Sequence, residues 1–106
     1  MERDLKKRFN LGMWNIYKLA KYEAKYNATK YLQMLGENGG LETAHILINA
    51  STVSDGYTAL WERGGLDLTV EALIFDNPEY HELFTEHELA IIKKRLIDYQ
   101  YAPALR

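Results

Sequence analysis

Six ionisable side chains crowd into ten positions, Glu79, His81, Glu82, Glu86, His87 and Glu88, and histidines among carboxylates are a donor set that zinc accepts. The spacing argues against a metal site. A zinc-protease helix carries its second histidine four residues after the first, where this chain has Thr85 after His81 and Ile91 after His87. Thr85 also opens a new helix, so the two histidines do not share adjoining turns. Surface charge and helix capping are the expected uses, with no metal and no cofactor.

A second group, Glu62, Arg63, Asp67 and Glu71, surrounds Gly64-Gly65. Paired carboxylates perform acid–base work only where a cleft shifts their pKa values. A small hydrolase built on Glu62, Asp67 and Glu71 would therefore need a concave site with a perturbed carboxylate. The expectation is instead an internal ion pair from Arg63 to Asp67 or Glu71. Residues Gly36 to Gly40 precede a helix but lack the lysine and hydroxyl of a phosphate loop, and Glu42 occupies the end that favours an anion; they read as a turn. His45, between Ala44 and Ile46, reads as a satisfied core or boundary histidine. No Ser-His-Asp spacing stands out. With no cysteine in the chain, thiolate nucleophiles, thiolate zinc, iron–sulfur clusters and disulfides are all excluded.

The best binding candidate is a basic, aromatic face. At about 100° per residue, Trp14, Lys18, Lys21 and Lys25 fall within a sector of about 60°, opposite Met13, Ala20 and Ala24, with Tyr22 at its edge. A ring among ammonium groups can stack on a base or hold a phosphate, and Lys93, Lys94 and Arg95 would extend the surface if the last helix adjoins. The competing reading is a solvated face, with Trp14 beside Lys18 in cation–π contact or packed under the acidic segment. The net charge of −2 hides a segregation: residues 1–30 carry +5, residues 31–92 carry −10 and residues 93–106 carry +3. Packing of the ends on the middle would neutralise these charges internally, whereas a separated cationic side would attract phosphate or an acidic protein.

These residues must be positioned by helices. Leu5, Phe9, Met13, Ile16, Tyr17, Ala20 and Ala24 recur at the three- and four-residue steps of an amphipathic helix over 2–26. Glu2 and Asp4 suit its positive end, and Gly12 is a point of bending or division. Asn27 is placed to cap a second helix ending at Gly36, followed by a turn at Asn38-Gly39-Gly40 and a third helix over 41–49. Ser54 caps a helix over 55–63 closed by Gly64-Gly65. Residues 66–75 could form a strand by composition but have no partner, so they read as a helix capped at Thr69. Asn77-Pro78 marks a boundary before a single turn. Thr85 and Glu88 form a capping box for a final helix through Leu89, Ile92, Leu96 and Tyr99, with Pro103 preventing extension beyond Ala102. Hydrophobic residues at 47% and charged residues at 26% are ordinary globular composition. The expected fold is all-α, a compact single-domain bundle of about six short to medium helices over residues 1–106.

The runs Gly39-Gly40-Leu41-Glu42-Thr43-Ala44, Ser54-Asp55-Gly56-Tyr57-Thr58-Ala59-Leu60-Trp61-Glu62-Arg63-Gly64 and Leu66-Asp67-Leu68-Thr69-Val70-Glu71-Ala72-Leu73 resemble a small helical module recurring in bacterial hypothetical proteins. The resemblance extends over residues 15–96 and departs at Gly65, where a basic residue is expected. It implies a helical fold and no particular activity.

The expectation for function is a non-catalytic, cytoplasmic helical module that binds another protein or a second copy of itself. The alternative is a nucleic-acid accessory module using Trp14, Lys18, Lys21, Tyr22 and Lys25. The first residues lack the apolar stretch of a secretory signal and no apolar run reaches about 18 residues, so neither membrane insertion nor export is expected. No small-molecule substrate is indicated.

Overall fold

The computed structural model describes residues 2–105, with side chains from Asp4 onward; the expected role of the Glu2 side chain lies outside the described residues. Five α-helices, α1 (Glu2–Glu23), α2 (Thr29–Asn49), α3 (Asp55–Glu62), α4 (Val70–Phe75) and α5 (Glu86–Asp98), are joined with 3₁₀ turns at Leu66–Leu68, Pro78–Leu83 and Ala102–Leu105. No strand occurs among the described residues. The all-α architecture read from periodicity is therefore the observed one.

In α1 the buried stripe is Leu5, Phe9, Met13, Ile16 and Ala20, the i, i+4 series that periodicity marks as one face. Gly12 does not divide the helix. A Cβ at this position would lie in ordinary van der Waals contact with the Leu73 side chain, 3.4 Å away, and α1 runs on unbroken past it. The helix stops at Glu23, three residues before the expected end, because Lys25 turns left-handed at φ 55° and the Tyr26 amide donates to the Ala20 carbonyl at 2.9 Å. Asn27 is not the cap of α2. Its Oδ1 accepts from the Tyr17 hydroxyl at 3.2 Å, and Ala28 takes the capping position with no side-chain hydrogen bond.

The first arm of α2 runs past Gly36, its expected end, and the turn expected at Asn38-Gly39-Gly40 is present as a kink. Residue 36 is helical, and two arms of α2 meet at Gly39, whose φ of 79° and ψ of 171° suit a residue without Cβ. The kink follows from packing. The Gly40 amide donates to Asn10 Oδ1 at 2.8 Å, tying the middle of α2 against α1.

The remaining caps form where the residue types place them. Ser54 accepts from the Tyr57 amide, Thr69 from the Ala72 amide, and Thr85 with Glu88 completes the capping box. Gly64 adopts φ 71° after α3. However, α5 ends at Asp98, four residues short of Ala102. Gln100 takes φ 60°, the Tyr101 amide donates to the Leu96 carbonyl at 2.8 Å, and the Tyr101 hydroxyl donates to the Asp76 carboxylate at the end of α4.

The core is built from Phe9, Met13, Ile48, Tyr57, Ile74, Ile92 and Leu96, all essentially inaccessible to solvent. Phe9 packs edge-on to Tyr80 and Phe84, with centroids 5.2 and 5.6 Å away, a geometry favoured by the aromatic quadrupole. No helix among the described residues is long and apolar enough to cross a membrane.

Candidate functional site

A groove of about 520 Å³ opens between the α1–α2 corner, the carboxyl end of α2 with its following loop, and α3–α4. This is the size range of ligand pockets. Ile16 and Ala20 reach it from α1, Met34 and Leu47 from α2, and Leu60, Leu68 and Val70 from α3 onward. The amphipathic periods that bury the core place these residues: Ile16, Ala20, Leu60, Leu68 and Val70 are buried, while Met34 and Leu47 are half-buried.

The buried polar groups lining the groove are already engaged within the fold. The Tyr31 hydroxyl donates to the Met13 carbonyl at 2.7 Å, and the Tyr57 hydroxyl to the Arg95 carbonyl at 3.0 Å. Thr69 Oγ1 donates to the Leu66 carbonyl at 2.7 Å while accepting the Ala72 amide. Ser54 Oγ accepts the Tyr57 amide. Burial, reinforced by the nearby Glu71 charge, pushes both the Tyr31 and Tyr57 hydroxyls far above the ordinary phenol range, so they stay protonated and keep donating. Among the described residues, no buried side-chain nitrogen or oxygen lacks a partner.

Glu71 is the charged residue at depth. It is 3% exposed, and its Oε2 accepts from Arg95 Nη1 at 3.0 Å. Arg95 is itself 9% exposed and also donates to the carbonyls of Leu47, Ala50 and Thr52, at 3.2, 2.8 and 3.3 Å. One guanidinium from α5 thus neutralises a carboxylate of α4 and closes the carboxyl end of α2, which has no basic residue in its own last turn. Burial raises the Glu71 carboxyl, and its own backbone amide together with Arg95 offsets this only in part.

These contacts correct three sequence expectations. Arg63 pairs with neither Asp67 nor Glu71; it donates to the Ala59 carbonyl at 2.9 Å and lies 5.1 Å over the Tyr26 ring. Glu71 does meet the requirement of a concave, perturbed carboxylate, but Glu62 and Asp67 are exposed and do not line the groove, so the three carboxylates form no common site. Arg95 does not extend a basic surface with Lys93 and Lys94; it is buried, and Lys94 pairs with Asp98 at 3.0 Å.

The proposed basic face is brought together in part. Lys18, Lys21, Tyr22 and Lys25 are exposed, Lys21 lies 5.8 Å from the Tyr22 ring, and Lys25 Nζ donates to the Tyr22 carbonyl at 3.0 Å. Trp14 is half-buried and packs against the core, leaving Tyr22 as the open ring of the set.

His45 was read as a satisfied histidine, and it is one. Its Nδ1 lies 2.6 Å from Glu88 Oε2, which also accepts from Asn49 Nδ2 at 2.8 Å, while Oε1 accepts the Thr85 amide at 2.9 Å. Burial works to raise the Glu88 carboxyl, but the Thr85 amide, His45 and Asn49 outweigh it and hold the group below its usual value. A carboxylate depressed in the folded state stabilises the fold above its unfolded pKa of about 4.3 and loses that contribution as pH falls through the folded value. Glu71, raised by burial, acts with the opposite sign. Glu88→Gln is therefore expected to reduce stability most near neutral pH and progressively less below about pH 4. Urea unfolding of both proteins across that range checks it; a difference independent of pH would refute the assignment.

The remaining acidic and histidine side chains of residues 79–88 do not converge. His81 Nε2 bonds the Ile74 carbonyl at 2.9 Å, Glu79 lies 3.6 Å from Arg8, and His87 is exposed. Among the described residues no group of three or more such side chains is placed to hold a metal ion. Comparison of the chain with protein-family models, curated proteins and solved structures finds no match.

Proposed function

We propose that this chain is a non-catalytic helical interaction module that binds a protein partner by admitting apolar side chains into the groove between α1–α2 and α3–α4. One observation carries this reading: the hydroxyls of Tyr31, Tyr57 and Thr69 and the Glu71 carboxylate are satisfied inside the fold, so the buried walls of the groove offer apolar surface, with the free polar side chains of Thr29, Lys30, Thr52 and Asp55 confined to its exposed rim. Such a surface gains by covering hydrocarbon, whereas a polar substrate would lose its own water without recovering hydrogen bonds. Ile46, exposed at 42%, continues the apolar lining toward solvent.

Selection of displayed peptides on the intact chain tests the reading. Selected binders are expected to weaken at least roughly tenfold with Ile46→Gln or Val53→Gln, since burying such an aliphatic side chain is worth about 1.5–3 kcal/mol. Both substitutions alter the groove lining without changing charge, and an unchanged thermal midpoint shows that the fold is intact. Binders indifferent to both would refute the proposal. Sedimentation of the unliganded chain identifies self-association as the alternative occupant.

A second reading, nucleic-acid binding, is favoured by the joint exposure of Lys18, Lys21, Tyr22 and Lys25. It is weaker because Trp14 packs against the core, leaving little aromatic surface for base stacking.

A further inference from the structure

We infer that Thr43 is the positioning residue of the groove: its hydroxyl locks the bend of α2 and so fixes the spacing of the lining that α2 contributes. The inference deepens the proposed function and rests on it.

Both arms of α2 line the groove, Tyr31 and Met34 from before Gly39 and Ile46 and Leu47 from after it. In an unbent helix Met34 and Leu47 would stand about 20 Å apart along the axis. The bend returns them to one opening, so a change in the angle between the arms changes the shape of the groove.

Thr43 reports how sharp the bend is. Its Oγ1 donates to the Met34 carbonyl at 3.0 Å, nine residues back, where a continuous helix would separate the two by about 13 Å. The side chain is fully buried, so water does not compete for this bond. Among the side-chain hydrogen bonds of the described residues, it is the one that joins arm to arm. The Gly40 amide, held by Asn10, ties the apex to α1 instead. Gly39 itself adds no contact: a Cβ there would meet nothing within 4 Å. A partner that seats apolar side chains on both arms binds the bent form, and its apparent affinity falls with the fraction of chains that hold the bend.

The test places spin labels at exposed positions on the two arms through Gln33→Cys and Glu42→Cys, in a chain with no cysteine of its own. Pulsed dipolar spectroscopy is expected to show one narrow distance, unchanged when a selected peptide is added. Thr43→Val keeps the volume and removes the donor. It should broaden the distances and weaken selected peptides roughly fivefold, the equilibrium weight of one net hydrogen bond. Thr43→Ser, which restores the hydroxyl, should bring both back toward the native values. Gly39→Ala puts a Cβ on a backbone conformation that suits only glycine, at φ 79° and ψ 171°, and creates no clash. It should act in the same direction as Thr43→Val and carries the test where the valine variant fails to fold. Broadened distances with affinity intact overturn the inference, and so do distances and affinity both unchanged; weakening by Ile46→Gln then leaves the groove reading standing. Peptides indifferent to Ile46→Gln and Val53→Gln, or no selected peptide at all, overturn both.

Discussion

Replacing Arg95 by methionine is expected to lower the stability of the fold by about 3–5 kcal/mol, the effect of removing one partner from a buried ion pair. Three consequences combine. Glu71 keeps a carboxylate at 3% exposure without its counter-charge. The carbonyls of Leu47, Ala50 and Thr52 lose their shared donor. The loop that forms part of the groove wall then loses its ties to α5 and is held by Val53 packing on the core and the Ser54 cap. For a domain of this size the thermal midpoint should fall by roughly 12–40 °C. Arg95→Lys should recover only part of the loss, because one ammonium cannot present the planar fork that reaches a carboxylate and three carbonyls together. The double variant Glu71→Leu, Arg95→Met should be more stable than Arg95→Met alone, since it removes the stranded charge. A double variant no more stable than the single one would show that the pair is not coupled.

Gly40→Ala is expected to destabilise by about 2–4 kcal/mol, although alanine ordinarily strengthens a helix. A Cβ at this position would meet Asn10 Oδ1 at 2.7 Å and, more seriously, the Asn10 Cα at 2.9 Å. A side-chain oxygen can rotate away, but a backbone atom can retreat only if α1 and α2 move apart. That separation would also break the hydrogen bond from the Gly40 amide to Asn10 at 2.8 Å and loosen Met13, whose Cγ would lie 3.2 Å from the new methyl group. Gly36→Ala is the matched control: nothing lies within 4 Å of its added carbon, and the residue is helical and exposed, so it should be neutral or slightly stabilising. Chemical unfolding of the two variants in parallel separates close helix contact from helix propensity. Equal effects would contradict the packing described for α1 and α2.

Part of the site was legible before folding. On the final helix Arg95 falls about 60° from Ile92, on the apolar side, whereas Lys94 falls on the far side; that phase marks Arg95 as a buried cation. Its partner was not legible. Glu71 lies 24 residues away and the carbonyls that accept from Arg95 lie 43 to 48 residues away, while Arg63 is nearer to Glu71 in sequence and was the natural choice. Likewise, Trp14 has the helical phase of the lysines, yet it packs against the core, because neighbouring elements decide how much of a helix face they cover.

The sequence by itself determined the helical class, the capping of α3, α4 and α5, and the stripe of α1 that turns inward. Each depends on groups within about four residues of one another, the reach of a helical hydrogen bond or a cap. Tertiary structure alone decided that α1 runs through Gly12, that Gly40 closes on Asn10, that Arg95 rather than Arg63 neutralises Glu71, and that a groove opens between α1–α2 and α3–α4. Those outcomes depend on which distant surfaces approach closely enough to exclude water, and no local spacing encodes that approach.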